Sequence, residues 1–280
     1  MIPKLPLAQW INQLVDWLTQ FNGFFNSITN FFQAIINAFQ WVFDLIPIWL
    51  FIILILGITY WEKRHDKKWG LLIFELLGLL LIWNLGFWHD MTETLTLVLT
   101  STLIALVIGI PLGIWMAKQN TVQIIVNPIL DFMQTMPAFV YLIPAVAFFG
   151  IGMVPGVLAS VIFATPPTVR MTNLGIRQVP RELTEAAEAY GSSSWQKLFK
   201  VELPIARPTI MAGVNQSLML ALSMVVIASM IGALGLGTQV YFAVGRNDAG
   251  AGFAAGLAVV ILAIILDRIT QSFTQDKNSH

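Results

Sequence analysis

An apolar run as long as a bilayer is thick leaves a chain few options, because inside hydrocarbon every backbone amide must find its partner within the protein. This sequence contains several such runs. Of its 280 residues 57% are hydrophobic and 11% charged, and the mean hydropathy is +0.76. The expectation is an all-α polytopic membrane protein with about seven transmembrane helices. They run from Ile46 to Trp61, Trp69 to Trp88, Leu95 to Ala117, Ile124 to Phe149, Val154 to Thr165, Ile205 to Ala233 and Gly250 to Ile269. The first and fifth are short for a hydrocarbon core of about 30 Å. Pro111, Pro128, Pro137, Pro144 and Pro155 predict kinks or breaks in the third to fifth.

Charge placement gives the orientation. The net formal charge is zero, so nothing favours nucleic acid, but short loops rich in Lys and Arg stay in the cytoplasm. Placing the loop with Lys63, Arg64, Lys67 and Lys68 inside brings in Lys118, Arg170, Arg177, Arg181, Lys197, Lys200, Arg207, Arg268 and Lys277 as well. Thirteen of the 15 basic residues are then inside, and only Lys4 and Arg246 lie outside. The N-terminus is expected outside and the C-terminus inside. MIPKLPLAQWINQ has no basic n-region and no small-residue cleavage site, so no removable signal peptide is expected.

Several chemistries have no residues to carry them. There is no cysteine for disulfides, Cys-ligated zinc or iron–sulfur clusters, and His65, His89 and His280 are too scattered for a metal site. Neither G-x-x-x-x-G-K-[ST] nor G-x-S-x-G occurs, so no catalytic residue, resident cofactor or metal is expected.

Residues 1–45 form a separate unit. Trp10, Ile11, Leu14, Val15, Leu18 and Phe21, then Phe24, Phe25, Ile28, Phe31, Phe32, Ile35, Ile36 and Phe39, recur at helical spacing. The expectation is two outward-facing amphipathic helices with a neutral polar face, lying on the membrane surface, against the bundle, or on a partner.

A charged, glycine-broken stretch, EAAEAYGSSSWQKLFKVELP, interrupts the apolar runs between Glu185 and Pro204. Leu183, Ala186, Ala187 and Tyr190 share one helical face after Pro180. Gly191 suits the positive φ that ends a helix, and Ser193 with Gln196 fits a capping box that starts a second. Trp195, Leu198 and Phe199 fall on one face of that helix, and Pro204 is expected to end it. Such a loop would display apolar surface to the cytoplasm as a docking site, or else fold back onto the bilayer or its own bundle.

Glu185-Ala186-Ala187, Gly191, and Val201-Glu202-Leu203-Pro204 together resemble the EAA loop of ATP-binding-cassette importer permeases. The resemblance extends from Thr94 to Gln271. Through LDFMQTMPAFVYLIPAVAFFGIGMVPGV, FATPPTVRMTNLGIRQVP and PTIMAGVNQSLMLALSMVVIASMIGALGLG it points to the permease subunit of glycine betaine and proline betaine importers. It implies the type I ABC importer permease fold, with peripheral helices over 46–93, a core over 94–271 that includes the coupling loop 180–204, and a cytoplasmic tail over 272–280. It implies that Glu185, Ala186, Ala187, Tyr190, Gly191, Leu198, Val201, Leu203 and Pro204 couple to a cytoplasmic ATPase. The partners it implies are two copies of that ATPase, which uses ATP and Mg, an extracytoplasmic substrate-binding protein, and a second copy of this chain.

A betaine needs aromatic faces for its quaternary ammonium and donors for its carboxylate. Met136, Phe139 and Tyr141 lie beside a proline break, with Phe163 and Trp115 in adjacent spans, and Asn215, Gln216, Ser217 and Ser223 offer polar lining. Each could equally be bundle packing. Glu75 and Asp131 are acidic residues within spans and need water, a partner or a proton, with Asp131 expected near the cytoplasmic end. Rival readings are choline, carnitine or an amino acid as cargo, an ion-coupled secondary carrier, and a scaffold with no transport cycle. Orientation can be checked directly. A Glu185→Cys variant should react with a membrane-impermeant thiol reagent only from the cytoplasmic side, because the chain has no other thiol.

Overall fold

The computed structural model describes residues 6–62 and 69–272. Lys4, the loop carrying Lys63, Arg64, His65, Lys67 and Lys68, and the tail with Lys277 and His280 lie outside the described residues. Among the described residues every regular element is helical. Helices α1 (Leu7–Thr19) and α2 (Asn22–Leu45) are the amphipathic pair. Of the dispositions open to it, α2 takes the one against the bundle. Its Phe25 ring stacks on Phe148 at 4.9 Å, Phe32 and Ile36 are buried, and Gln40 accepts a hydrogen bond from Thr96 at 3.0 Å. A 100° corner at Ile46-Pro47 then turns the chain into α3 (Ile48–Glu62), followed by α4 (Trp69–Asn84). Both are largely apolar, and Glu75 of α4 is fully buried and accepts the Thr59 hydroxyl of α3 at 3.0 Å.

Helix α5 (Trp88–Lys118) crosses the bundle and defines its two ends, the Trp88 end and the Lys118 end. The chain returns through α6 (Asn120–Thr135), but the span expected from Ile124 to Phe149 is not one helix. It bends by 106° at Met136-Pro137 into a 3-10 turn, Ala138–Tyr141, and the short α7 (Leu142–Phe149). Pro137 is the cause. Its ring drives the preceding residue out of the helical region, and Met136 has ψ 132°. Conversely, α8 (Met153–Arg177) is longer than the span expected from Val154 to Thr165, running through Pro166 and Pro167. Every residue from Ala164 to Val169 is buried, so neighbouring helices hold the backbone where the prolines remove donors. Arg170 and Arg177 therefore sit within a helix, not in a loop.

The stretch after α8 folds as α9 (Arg181–Ala189) and α10 (Ser194–Lys197), and then joins α11 (Leu203–Ser229) through a π-helical turn, Leu198–Glu202. Pro204 does not terminate the second loop helix as expected. Having no amide, it cannot continue the regular ladder, and the ladder widens just before it: the Leu203 amide reaches back five residues to the Leu198 carbonyl. The result is one continuous helical run of 36 residues from Ser194 to Ser229. Helices α12 (Leu236–Gly245) and α13 (Ala249–Ser272) complete the chain.

The core is α8 held between α5, which runs parallel to it, and α11, which runs antiparallel. Backbone proximity sets the packing. A Cβ on Gly113 would stand 2.6 Å from Thr172 Cβ and 2.7 Å from the Val169 carbonyl oxygen, and one on Gly213 would stand 2.6 Å from Met171 Cβ. Without a hydrophobic force between helices in lipid, such small-residue approaches supply the van der Waals contact that associates them. Three helical runs, α5, Ser194–Ser229 and Ala249–Gln271, are each long and apolar enough to cross a membrane. The number rises to five if each bent pair counts as one span, so the expected seven is not reproduced among the described residues. Overpacking at the α5–α8 crossing should cost about 1–3 kcal/mol. Gly113→Ala should thus lower the thermal midpoint of the purified protein, whereas Gly256→Ala, which meets nothing within 4 Å, should leave it unchanged.

Candidate functional site

The stretch from Pro180 to Pro204 folds as a knuckle whose shape is set by local chemistry. Gly191 has φ 77°, and two hydrogen bonds close the end of α9, from the Gly191 amide to Glu188 at 2.9 Å and from the Ser192 amide to Ala187 at 3.0 Å. This is the 6→1 and 5→2 pair of a glycine C-cap. Ser193 then opens α10 with the reciprocal capping box expected from sequence, its hydroxyl accepting from the Gln196 amide and Gln196 Oε1 from the Ser193 amide at 2.8 Å. Glu185, Ala186 and Tyr190 are exposed, Tyr190 at 90%, and Ala187 is half-buried. Trp195 and Phe199 stack face to face at 5.5 Å and are likewise exposed.

Leu198 departs from the expectation of display. It is buried against Ile176, Ala206 and Ile210, because the π-helical turn rests on α8 and α11 through that side chain. Val201 and Leu203 are half-buried beneath it, and Pro204 is exposed. Three polar contacts not anticipated from sequence hold the seat. Glu202, buried, is ion-paired with Lys118 at the end of α5. Arg177 of α8 donates to the Met116 carbonyl at 2.9 Å, to Asn120 at 2.7 Å and to Asn173 at 3.0 Å, so it caps α5 and ties α6 to α8. Across the knuckle, Lys197 pairs with Glu188. The position of Glu202 inside the loop motif was the only signal for these contacts. A cavity of about 680 Å³ separates the knuckle from α5, lined by Pro111, Trp115, Lys118, Trp195 and Phe199 among others.

The hydrogen bond with Lys197 holds the Glu188 carboxyl below its usual range, and the same bond raises Lys197. Glu188's contribution is present above the ordinary carboxylate pKa and lost as pH falls through the lowered one. Lys197's is present below the ordinary lysine pKa and lost as pH rises through the raised one. The pair is closed throughout the neutral range, and because it is exposed, salt screens it.

The residues expected along a substrate path fall into separate groups. Met136, Tyr141 and Phe163 come together, with the Tyr141 and Phe163 ring centroids 6.3 Å apart. Tyr141 is buried there and its hydroxyl donates to the Met133 carbonyl, while Phe139 points away and is exposed. This cluster packs on Met224 and Ile227 of α11. Asn215, Gln216 and Ser217 lie two turns or more nearer the Lys118 end, and successive positions on a helix face different ways. Asn215 donates to Asp267 of α13 at 2.9 Å and Ser217 is buried against Thr168 of α8 at 2.7 Å, which leaves Gln216 as the exposed member. Trp115 lies in the cavity beside the knuckle and not with the aromatic cluster.

Comparison with known proteins agrees with this architecture. Residues 109–278 match the family described as "Binding-protein-dependent transport system inner membrane component". The chain is 74% identical over 278 residues to the glycine betaine/carnitine transport permease protein GbuB of Listeria monocytogenes, covering 99% of each chain. It is 54% identical to the glycine betaine transport system permease protein OpuAB of Bacillus subtilis, covering 99% of this chain and 98% of that one. Among solved structures, inward-facing conformations of the MetNI methionine ABC transporter align with a TM-score of 0.60 at 24% identity, over 65% of this chain and 94% of that one, a likeness of fold alone. Matched over more than half its length and carrying a membrane-embedded helical core, the chain belongs to the family of binding-protein-dependent transport system inner membrane components, the permease subunits of ABC importers.

Proposed function

We propose that this permease forms the path by which an ATP-driven importer takes up glycine betaine or a related quaternary ammonium solute, and that the Pro180–Pro204 knuckle is its coupling element. The observation that carries the coupling role is the knuckle's construction. Leu183, Tyr190, Trp195 and Phe199 are exposed apolar side chains, while Leu198 and the Glu202–Lys118 pair fasten the same segment to α5, α8 and α11. A surface built this way can take up a displacement and pass it on. Glu185, Ala186, Ala187, Tyr190 and Gly191 meet the ATPase, and Leu198, Val201, Leu203 and Pro204 join that contact to α11. The names of the relatives support the cargo.

In this reading two copies of the chain act with two copies of a cytoplasmic ATPase, which binds ATP and Mg, and with an extracytoplasmic binding protein. The N-terminus is outside and the C-terminus inside, which puts the Lys118 end of the bundle in the cytoplasm. ATP-driven closure of the ATPases moves both knuckles and switches the bundle between inward-facing and outward-facing states, whose affinities for nucleotide and solute must differ for either to shift the other.

Reconstitution with the ATPase and binding protein tests the reading. Glycine betaine uptake should require ATP, survive collapse of ion gradients, and be competed by proline betaine. Uptake that persists without ATP and disappears with the ion gradient identifies a secondary carrier, and stronger competition by carnitine, choline or an amino acid reassigns the cargo. A second prediction concerns the knuckle alone. Gly191 has open space around it, so Gly191→Val is opposed by backbone strain at φ 77° and not by a clash, at a cost of about 2 kcal/mol or more. Uptake per ATP hydrolysed should fall about tenfold or more while the amount of permease in the membrane stays the same.

A further inference from the structure

Helix α6 carries a polar stripe in a setting where lipid would exclude one. Asn120, Gln123, Asn127, Asp131 and Gln134 recur at three- and four-residue intervals, within about a quarter of the helix circumference. Beside the stripe, Val122, Val126, Leu130 and Met133 pack on Met116 and Val169 of the core. Ile125, Ile129 and Phe132 occupy the far side and are exposed, as lipid-facing residues would be.

Within this stripe Asp131 is ion-paired with Arg170 of α8, and both side chains are accessible, at 63% and 39%. Their depth makes this accessibility significant. Arg177 is bonded to Asn120 at the Lys118 end, and Arg170 lies seven residues along α8 from Arg177, about 10 Å. Asp131 lies eleven residues along α6 from Asn120, about 16 Å. Accessible charges so far from the end of the bundle face water or protein, since against hydrocarbon each would cost about 2.5 to 3.5 kcal/mol even on insertion scales. Arg170 also has its Nε buried with no hydrogen-bond partner among the described residues, which leaves one donor of its fork unspent.

We propose that Asp131 and Arg170 form a zwitterion-handling site on the inner half of the translocation path, and that the α6 stripe is the wetted track leading from it to the cytoplasm. The cargo part rests on the betaine reading. A betaine is neutral overall but carries a carboxylate and a quaternary ammonium. Arg170 can take the carboxylate through its planar fork, and Asp131 can face the ammonium, which offers no N–H and so is met by charge and not by a hydrogen bond. When the solute arrives, the Asp131–Arg170 contact opens and each member exchanges its partner's charge for the opposite charge of the solute. One ion pair is traded for two weaker ones, with no uncompensated charge left at depth. At the other end of α6 lies the cluster of Met136, Tyr141 and Phe163, on the same route.

The test uses the whole importer reconstituted in liposomes, in two independent parts. In the first, single cysteines at Asn127→Cys and Gln134→Cys are compared with Ile125→Cys and Phe132→Cys using a membrane-impermeant thiol reagent on the cytoplasmic side. The stripe positions should react at least tenfold faster. Equal rates at all four positions, or no reaction at the stripe because a second copy covers it, would overturn the track, and this part does not depend on the cargo. In the second, Asp131→Asn and Arg170→Gln should each lower betaine uptake per ATP about tenfold. The double exchange Asp131→Arg with Arg170→Asp should restore the thermal midpoint but not uptake. Full uptake in Asp131→Asn, or recovered uptake in the exchange, reduces the pair to a structural tie and overturns the site. An unmodified importer that accumulates no betaine defeats the proposed function instead, and the labelling still decides the track.

Discussion

The close approach of α8 to both α5 and α11 is the constraint on which the rest of the structure depends. At Gly109 and Gly113 on one side and Gly213 on the other, an added Cβ would meet side-chain or backbone atoms at 2.6 to 2.9 Å, so the three helices can pack in only one register. That register delivers Arg177 to the open carbonyls at the end of α5, and brings Lys118 within reach of Glu202. Were α8 displaced by one turn, about 5.4 Å, both contacts would be lost together. Packing between small residues thus decides where the charged groups can meet.

The knuckle is joined to this frame. Its internal shape needs only a glycine in the left-handed region and a Ser/Gln capping box, both of which act over a few residues. Its connection to the membrane is different in kind, because α10 continues without a break into α11 over 36 residues. Just past the far end of that run the chain is tied as well, with the Gly152 amide bonded to the Ile231 carbonyl at 2.9 Å. A push on the knuckle therefore acts on one long element fastened at both ends. The π-helical turn before Pro204 is the place where that element is least regular.

Several charged groups within the bundle are matched by a polar partner from another helix. Glu75 is met by Thr59, Asp267 by Asn215, and Asp131 by Arg170. Such contacts join helices together and need no functional reading by themselves. Asp131 and Arg170 stand apart because they remain accessible, whereas Glu75 is fully enclosed.

Much of this was legible before any coordinates, and the division follows the range of the interactions. The sequence by itself determined the helical class, because apolar runs in lipid have few other ways to satisfy their amides, and it determined the glycine cap at Gly191 and the capping box at Ser193, because those involve neighbours in the chain. It misread Pro204 as a stop and Thr165 as an end, since local propensity carries no information about the neighbours that support α8 and the start of α11. It could not tell Leu198 from Trp195 and Phe199, which share its spacing, nor separate Asn215, Gln216 and Ser217, whose partners lie on different helices. Tertiary structure alone decided which apolar residue is seated and which displayed, and which buried charge meets which, because those outcomes depend on contacts between residues as far apart as Lys118 and Glu202.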